Sequence, residues 1–381
     1  MLPSDIYLEY FFSKFLYQNA FTGISAGFAK SLSAVLHRSS ELHDAVKAIA
    51  ALHIGQCNAF VVKEDYSAAL KAYSRSVRSL QAKIEGEAIV SDPSVLWATF
   101  LLGVFELMRD ATGVNWLAHF LHGTSTMLRL LGPDILTVSN KENAQLREFF
   151  FGTRIFELSR ALIYTAPTFL STTEWSLAIE TYWIQNPALW TPKEALFDLI
   201  PKLSDLGIRA CGFVAKVESM VPRKQVLCAK ALAEEGLSLH EALLQWRKSL
   251  DVWMHISTNL GVPNEDSLVS SVYYAALSIY LDGIFSYHAP FISLSALMCP
   301  MLDHSVIQEH VSLILAECKQ LLDRGCAGVV LLFPLRVAGA RARGSSSQLE
   351  ILRLLRMVAQ RGFMVAQSFV EDLSDLWAKR C

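Results

Sequence analysis

Residues 66–84, YSAALKAYSRSVRSLQAKI, decide the fold class. Apolar side chains recur at alternating spacings of four and three residues, at Tyr66, Leu70, Tyr73, Val77, Leu80 and Ile84. Because an α-helix turns once in about 3.6 residues, this spacing places one apolar stripe along one helix face. The stretch therefore predicts a long amphipathic helix.

The same spacing recurs in later parts of the chain. The series are Leu239, Leu243, Trp246, Leu250 and Trp253; Ile307, Val311, Ile314, Cys318 and Leu321; and Phe363, Ala366, Val370, Leu373 and Trp377. The alternation of period two that is typical of strands is sustained nowhere. The sequence predicts an all-α protein built as a multi-helix array or bundle.

Capping chemistry marks several helix starts. Asp92 before Pro93 predicts a capped start, because proline at the first helical position loses no hydrogen bond. Serine or threonine followed three residues later by glutamate is the capping-box spacing. It occurs at Thr191 and Glu194, Ser171 and Glu174, and Ser347 and Glu350.

Few breaks interrupt the helical pattern. We expect loops at residues 139–143 and 339–347 and a weaker break at 261–264. No repeat of 20–50 residues is visible. We expect residues 1–381 to form a single α-helical domain, with two lobes meeting near residues 205–240 as the alternative organisation.

The composition favours a large buried core. Hydrophobic residues make up 52% of the 381 residues and charged residues only 18%. The longest apolar run, residues 95–105, is far short of the ~20 residues that cross a bilayer, so it predicts a buried helix and no membrane association. The first residues, MLPSDIYLEYFFSK, carry acids and no basic segment, which is unlike a signal peptide.

Charge and cysteine content limit the function classes. The net charge of −2 is unlike that of a free-standing nucleic-acid binder, which is usually basic. The 7 cysteines are scattered, with no CxxC motif, which favours reduced thiols in the nucleus or cytoplasm over a secreted disulfide framework.

Polar groups inside apolar helices are the candidate ligand-binding residues. Glu106, Arg109 and Asp110 end the most apolar helix, and either form an internal ion-pair network or the polar end of a cavity. Arg160 and Tyr164 lie one turn apart; they either face that cavity or form a surface arginine beside a half-exposed tyrosine.

Two histidines complete the candidate set. His119 and His122 are three residues apart and so share a helix face, as a metal pair would need. No third ligand follows by spacing, so we expect no metal and no cofactor. The candidate ligand-binding residues are Glu106, Arg109, His119, His122, Arg160 and Tyr164.

Two further groups of residues have both a structural and a functional interpretation. Arg324, Arg336, Arg341 and Arg343 lie in a stretch without acids, where a solvated loop is favoured over a phosphate-binding patch. Several aromatic residues could line a cavity, although each is more often part of a core. They are Trp97, Phe105, Trp116, Tyr273, Tyr274, Tyr280 and Phe285.

Five blocks carry a resemblance to a known family. They are DIYLEYFFSKFLYQNAF (5–21), RSSELHDAVKAIAALHIGQ (38–56), ALKAYSRSVRSLQAKI (69–84), LWATFLLGVFELMRDATGVNWLAHFLHGTSTMLRLLGP (96–133) and FFGTRIFELSRALIYTAPTFLSTTEW (150–175). In this order they resemble the regulatory domain of fungal zinc-cluster transcription factors. The resemblance implies an all-helical domain that regulates transcription, often of secondary metabolism.

The resemblance also implies how such a chain would act. In the family this domain follows a DNA-binding cluster of six cysteines that hold two zinc ions. These 381 residues contain no such cluster, so we expect the chain to act through a protein partner, a homo-oligomer or a small apolar effector. The alternatives are a stand-alone biosynthetic enzyme of cyclase, dehydratase or isomerase type, and a non-catalytic sensor or carrier of a lipid-like molecule.

The charge and the missing cluster predict that this chain alone does not bind DNA. In a fluorescence anisotropy titration at physiological salt, we expect no sequence-specific binding at nanomolar protein concentrations, because a basic surface and a zinc cluster are both lacking. Saturable binding to one sequence but not to a scrambled duplex would contradict this expectation.

Overall fold

The computed structural model describes residues 3–21, 25–57, 63–85, 92–114, 123–138, 141–259, 265–293 and 298–380. The structure is 85% helical, and its described residues contain no strand. A single isolated β-bridge joins Ala20 and Cys326. The prediction of an all-α array is confirmed.

The chain divides into two compact units. Unit 1 comprises Met1–Ile155, Leu322–Leu332 and Leu352–Cys381, and unit 2 comprises Phe156–Leu321 and Phe333–Ile351. Residues 205–240, where the sequence places a junction between lobes, lie entirely inside unit 2.

The first half of the chain builds most of unit 1. Its helices are α1 (Pro3–Tyr10), α2 (Leu16–Gln18), α3 (Ser25–Leu36), α4 (Ser40–Cys57), α5 (Lys63–Glu85), α6 (Pro93–Arg109), α7 (Thr124–Leu131), α8 (Asp134–Thr137) and the start of α9 (Lys141–Tyr164). A π-helical turn, Phe11–Phe15, links α1 to α2.

The remaining helices follow in chain order. They are α10 (Thr173–Gln185), α11 (Pro192–Val214), α12 (Pro222–Asn259), α13 (Glu265–Ser286), α14 (Ala289–Ser293), α15 (His304–Asp323), α16 (Leu332–Arg341), α17 (Ser345–Gln360) and α18 (Ala366–Ala378). Short 3₁₀ turns lie at Phe169–Ser171, Pro187–Leu189, Val217–Ser219 and Gly328–Leu331.

Helix α6 is the centre of the unit 1 core. Every residue from Ser94 to Met108 is buried, which confirms the prediction for the longest apolar run. The Asp92 carboxylate accepts the Ser94 N–H at 2.9 Å, so the predicted cap is also confirmed. Helices α4 and α5 both pack against α6.

Helix α5 is present as predicted, and its predicted apolar stripe is partly buried, with Leu80 in the core and Tyr73 stacked on Phe105. Ala69, Ala72 and Ser76 are fully buried, whereas Tyr66 is 43% exposed. Small side chains let α4 approach closely, and the Ser76 hydroxyl donates to the Glu41 carbonyl at 2.8 Å. Close packing against α4 therefore buries these small side chains, which lie beside the apolar stripe, more deeply than most of the large ones on it.

Helix α13 forms the centre of the unit 2 core, where α11 and α12 pack on it and on each other. By length and hydropathy alone it could cross a membrane, but 83% of its most apolar window is buried inside the protein. Such burial is typical of a core helix in a large helical domain. The predicted stripe on α15 is buried as well, from Ile307 to Leu321.

Some predicted boundaries are wrong. Helix α9 begins at Lys141, inside the predicted loop, and its first buried residue among those described is Leu146. The loop predicted at 339–347 is confined to residues 342–344, since α16 continues to Arg341 and α17 starts at Ser345. The break at 261–264 lies outside the described residues.

The capping boxes fail in a similar way. Thr191 precedes α11 as predicted, but its side chain makes no capping hydrogen bond, and the Glu194 carboxylate lies 3.5 Å from Lys193 Nζ. Ser171 lies one residue before the N-cap of α10, Thr172, and Ser347 lies inside α17, which starts at Ser345. Proline at the first position of α11 is confirmed.

A buried ion pair fixes the end of α9 within unit 2. The Glu157 carboxylate accepts Arg160 Nε at 2.9 Å and Nη2 at 2.7 Å, and Nη2 also donates to the Pro167 carbonyl at 2.8 Å. Both side chains are almost fully buried. A two-pronged pair of this kind holds the turn after α9 against the helix.

We expect Glu157→Gln to lower the free energy of unfolding by about 3 kcal/mol, because it leaves the Arg160 charge uncompensated in the interior. Glu234→Gln is the control, since the Lys230–Glu234 pair is exposed and should contribute less than about 0.5 kcal/mol. Urea titrations of both variants measure the difference. Equal, small losses would contradict the structural role assigned to Glu157.

Candidate functional site

A small cavity that is open to solvent lies in unit 2, between α11, α13 and α16. Its volume is about 210 Å³. The lining residues are Thr165, Gly207, Cys211, Ile279, Tyr280, Gly283, Ile284, Tyr287, His288, Val337, Ala340 and Arg341. Its walls are largely apolar, and its polar groups are few, which is the usual composition of a small-molecule site.

Gly207 makes room for the Tyr280 hydroxyl. A Cβ at Gly207 would overlap Tyr280 Oη, and it would lie 3.5 Å from Ile284 Cδ1. Among the described residues, Tyr280 Oη has no hydrogen-bond partner. Burial raises the pKa of Tyr280, with a smaller contribution from Cys211, so the phenol keeps its proton and can donate it.

Arg341 supplies the positive charge of the cavity wall. Its Nη2 donates to the Asp282 carboxylate and, at 2.7 Å, to Ser286 Oγ. Its guanidinium also lies 4.2 Å from the centroid of the Tyr287 ring. Within the described part of the chain, Nε and Nη1 of Arg341 have no acceptor, and the side chain remains 16% exposed.

Asp282 is satisfied without any help from the cavity. It is 1% exposed, and it accepts the Leu302 N–H at 2.9 Å and the Ser286 hydroxyl at 2.9 Å in addition to Arg341. Such a carboxylate holds Arg341 in place but does not consume all its donors, because a guanidinium carries five N–H groups.

Thr165 contributes a strained backbone to the cavity rim. Its φ of 48° lies in the left-handed region, where a residue with a Cβ costs roughly 1–2 kcal/mol. The Ala166 N–H donates to the Ala161 carbonyl at 3.1 Å, which closes the end of α9. Glycine usually occupies this position of the motif, so threonine places a side chain at the cavity where most helices have none.

The predicted residues Glu106 and Arg109 lie together in unit 1. Arg109 Nη2 is 3.1 Å from Glu106 Oε2, and Asp110 accepts the N–H and hydroxyl of Thr112. Burial and a hydrogen bond to Glu106 raise the pKa of Tyr73, which stacks on Phe105 at 4.7 Å. These contacts agree with the internal ion-pair interpretation.

The predicted residues Arg160 and Tyr164 lie in unit 2 on α9. The surface-arginine interpretation is wrong, because Arg160 is 1% exposed and pairs with Glu157, while Tyr164 is 37% exposed. Neither residue lines the cavity, although Thr165 follows Tyr164 directly. His119, His122 and Trp116 lie outside the described residues, so ligand binding by the six candidates stays a prediction.

The arginine stretch is not the solvated loop that the sequence suggests. Arg336 donates to the Ile163 carbonyl at 2.8 Å, and Arg341 is bound to Asp282. Arg324 and Arg343 are exposed, as expected. One feature of the sequence indicates that an arginine is buried. Asp282 is the sole charged residue between Ser267 and Ser286 in a buried helix, and such an acid requires a cationic partner.

The fold defines a class of all-helical domain in which an apolar cavity carries a few polar groups. Within that class, the sequence model of the family described as "Fungal specific transcription factor domain" matches residues 5–380. The chain belongs to this family, and membership supports a regulator-like role in transcription. No curated protein and no solved structure matches the chain.

We expect Gly207→Ala to be destabilising, because overpacking against Tyr280 costs about 1–3 kcal/mol while the gain in helix propensity is only about 1 kcal/mol. Gly212→Ala is the control on the same helix, since nothing lies within 4 Å of its added Cβ; it should be neutral or stabilising.

The Tyr280 hydroxyl causes the main clash, so removing it should relieve most of the strain, and a contact of 3.3 Å with Tyr280 Cζ remains. In thermal melts we expect Gly207→Ala to cost clearly less stability in the Tyr280→Phe background than in the parent protein. A double variant that is as unstable as Gly207→Ala would show that Tyr280 Oη does not occupy this space.

Proposed function

We propose that this chain is a regulator of fungal transcription, acting in secondary metabolism, that responds to a small effector bound in the unit 2 cavity. The observation that carries the proposal is a cavity with apolar walls. Tyr280 and Arg341 line it, and each has a hydrogen-bond donor without an acceptor among the described residues. Membership of the transcription factor family supports the regulatory half of the proposal.

Partner binding is the second part of the proposal. Large apolar side chains stay exposed along α10 and the turn that follows it, and such surface is typical of contact sites. They are Leu177 at 61%, Ile184 at 74%, Leu189 at 58% and Trp190 at 42% exposure. Leu177 and Ile184 are seven residues apart and so share a helix face. They support association with another protein or with a second copy of the chain.

The proposed role places the chain in the nucleus when it is active, and contact with DNA would come from a partner. The enzyme alternative depends on Glu106, His119, His122, Arg160 and Tyr164 as its polar groups, and the two histidines lie outside the described residues. Glu106 and Arg160 instead bind Arg109 and Glu157. No contact among the described residues favours the enzyme or the carrier over the regulator.

A reporter assay tests the proposal. The chain is fused to an unrelated DNA-binding domain, and we expect the fusion to change transcription of a reporter in a fungal host. Ala340→Leu should abolish the change without lowering the melting temperature, because the added methyl groups fill the cavity that Ala340 lines.

Ala231→Leu is the control, because Ala231 is exposed and lies outside the cavity. A fusion that leaves the reporter at the level of the DNA-binding domain alone would contradict the regulatory role. Equal responses of the parent fusion and Ala340→Leu would contradict the role of the cavity.

A further inference from the structure

We propose that the unit 2 cavity binds a small carboxylic acid as its carboxylate, with Arg341 and Tyr280 donating to the two carboxylate oxygens. This inference rests on the proposed function, because it names the chemical class of the effector that the same cavity takes.

The charge of the cavity wall favours a ligand with one negative charge. Arg341 is the permanently charged residue among the lining residues, and none of them is an acid. Asp282 lies behind Arg341 and already has donors of its own, from Arg341, Ser286 and the Leu302 N–H. An incoming anion therefore meets the guanidinium before it meets the buried carboxylate.

The free donors suit a carboxylate. Nη2 of Arg341 is bound to Asp282 and Ser286, so Nε and Nη1 remain for a ligand. These two nitrogens lie on different edges of the guanidinium, so one of them donates a charge-assisted hydrogen bond to one carboxylate oxygen. The Tyr280 hydroxyl adds one further donor. A phosphate has more oxygens and more charge than these groups can serve.

The walls and the volume set the rest of the ligand. Ile279, Ile284 and Val337 face the same space. A volume of about 210 Å³ corresponds to about seven water molecules at ~30 Å³ each. A short aliphatic or aromatic acid of roughly eight heavy atoms fits this space, with its carboxylate at Arg341 and its apolar part against the isoleucines. Hexanoate has this size and serves as the probe.

Calorimetric titration of the full chain with three matched probes tests the class of ligand. We expect hexanoate to bind. Hexanamide should bind about tenfold more weakly or not at all, because the neutral amide lacks the negative charge that pairs with Arg341. Hexyl phosphate should also bind more weakly than hexanoate. Tighter binding of hexyl phosphate or equal binding of hexanamide would overturn the proposal, as would no binding of hexanoate.

Two variants test the assigned donors. Arg341→Lys keeps a charge against Asp282 but has no second nitrogen for the ligand, and it should weaken hexanoate binding about tenfold. Tyr280→Phe should weaken it by up to about tenfold. Arg343→Lys is the matched control, because Arg343 is exposed and does not line the cavity. Unchanged affinity in both cavity variants would overturn the assignment.

Alkylation of cysteine locates the bound acid independently of the variants. Cys211 lines the cavity and is exposed to solvent, as is Cys57 in unit 1, so the reagent can reach both thiols in the free protein. We expect hexanoate to slow the reaction of iodoacetamide with Cys211 and to leave Cys57 unchanged, as measured by mass spectrometry of the peptides. Equal rates at Cys211 with and without hexanoate would place any binding elsewhere and overturn the proposal.

These measurements use the isolated protein and no transcription. Hexanoate binding with an inactive reporter fusion would overturn the proposed function and leave the ligand class standing. If the fusion changes reporter transcription but the isolated chain binds no carboxylate, the ligand class is overturned and the proposed function stands.

Discussion

A buried charge in this apolar chain needs a partner inside the protein, and the positions of several helices follow from that requirement. Lys193 is 3% exposed and binds Asp266 at 2.9 Å, which joins the starts of α11 and α13. Asp282 and Arg341 join α13 to α16 in the same way. Removing one member of such a pair costs about 3–5 kcal/mol, a large part of the stability of a domain.

The same requirement creates the candidate site. Asp282 fixes Arg341 through one terminal nitrogen and leaves the other donors of the guanidinium at the cavity. Gly207 keeps the space beside Tyr280 open, since any larger residue would meet the phenol. The groups that hold α16 in place thus also present donors to a ligand, so binding at the cavity and the position of α16 are linked.

Sequence patterns predict the helices well and their contacts poorly. The stripe on α15 is buried as predicted, because large apolar residues at helical spacing form one face that packs against the core. On α5 the small residues Ala69 and Ala72 are more deeply buried than most of the predicted stripe, since close approach of α4 depends on size, which a hydrophobic pattern does not record. The cavity was missed because Asp282 and Arg341 are 59 residues apart, and no local pattern links them.

A high-resolution crystal structure of the chain grown with hexanoate tests the central claim most directly. The account predicts a carboxylate within hydrogen-bonding distance of Tyr280 Oη and of Arg341 Nε or Nη1, with the aliphatic chain against Ile279 and Ile284. A cavity that holds only ordered water at saturating hexanoate, with Arg341 and Tyr280 bonded to that water, would contradict it.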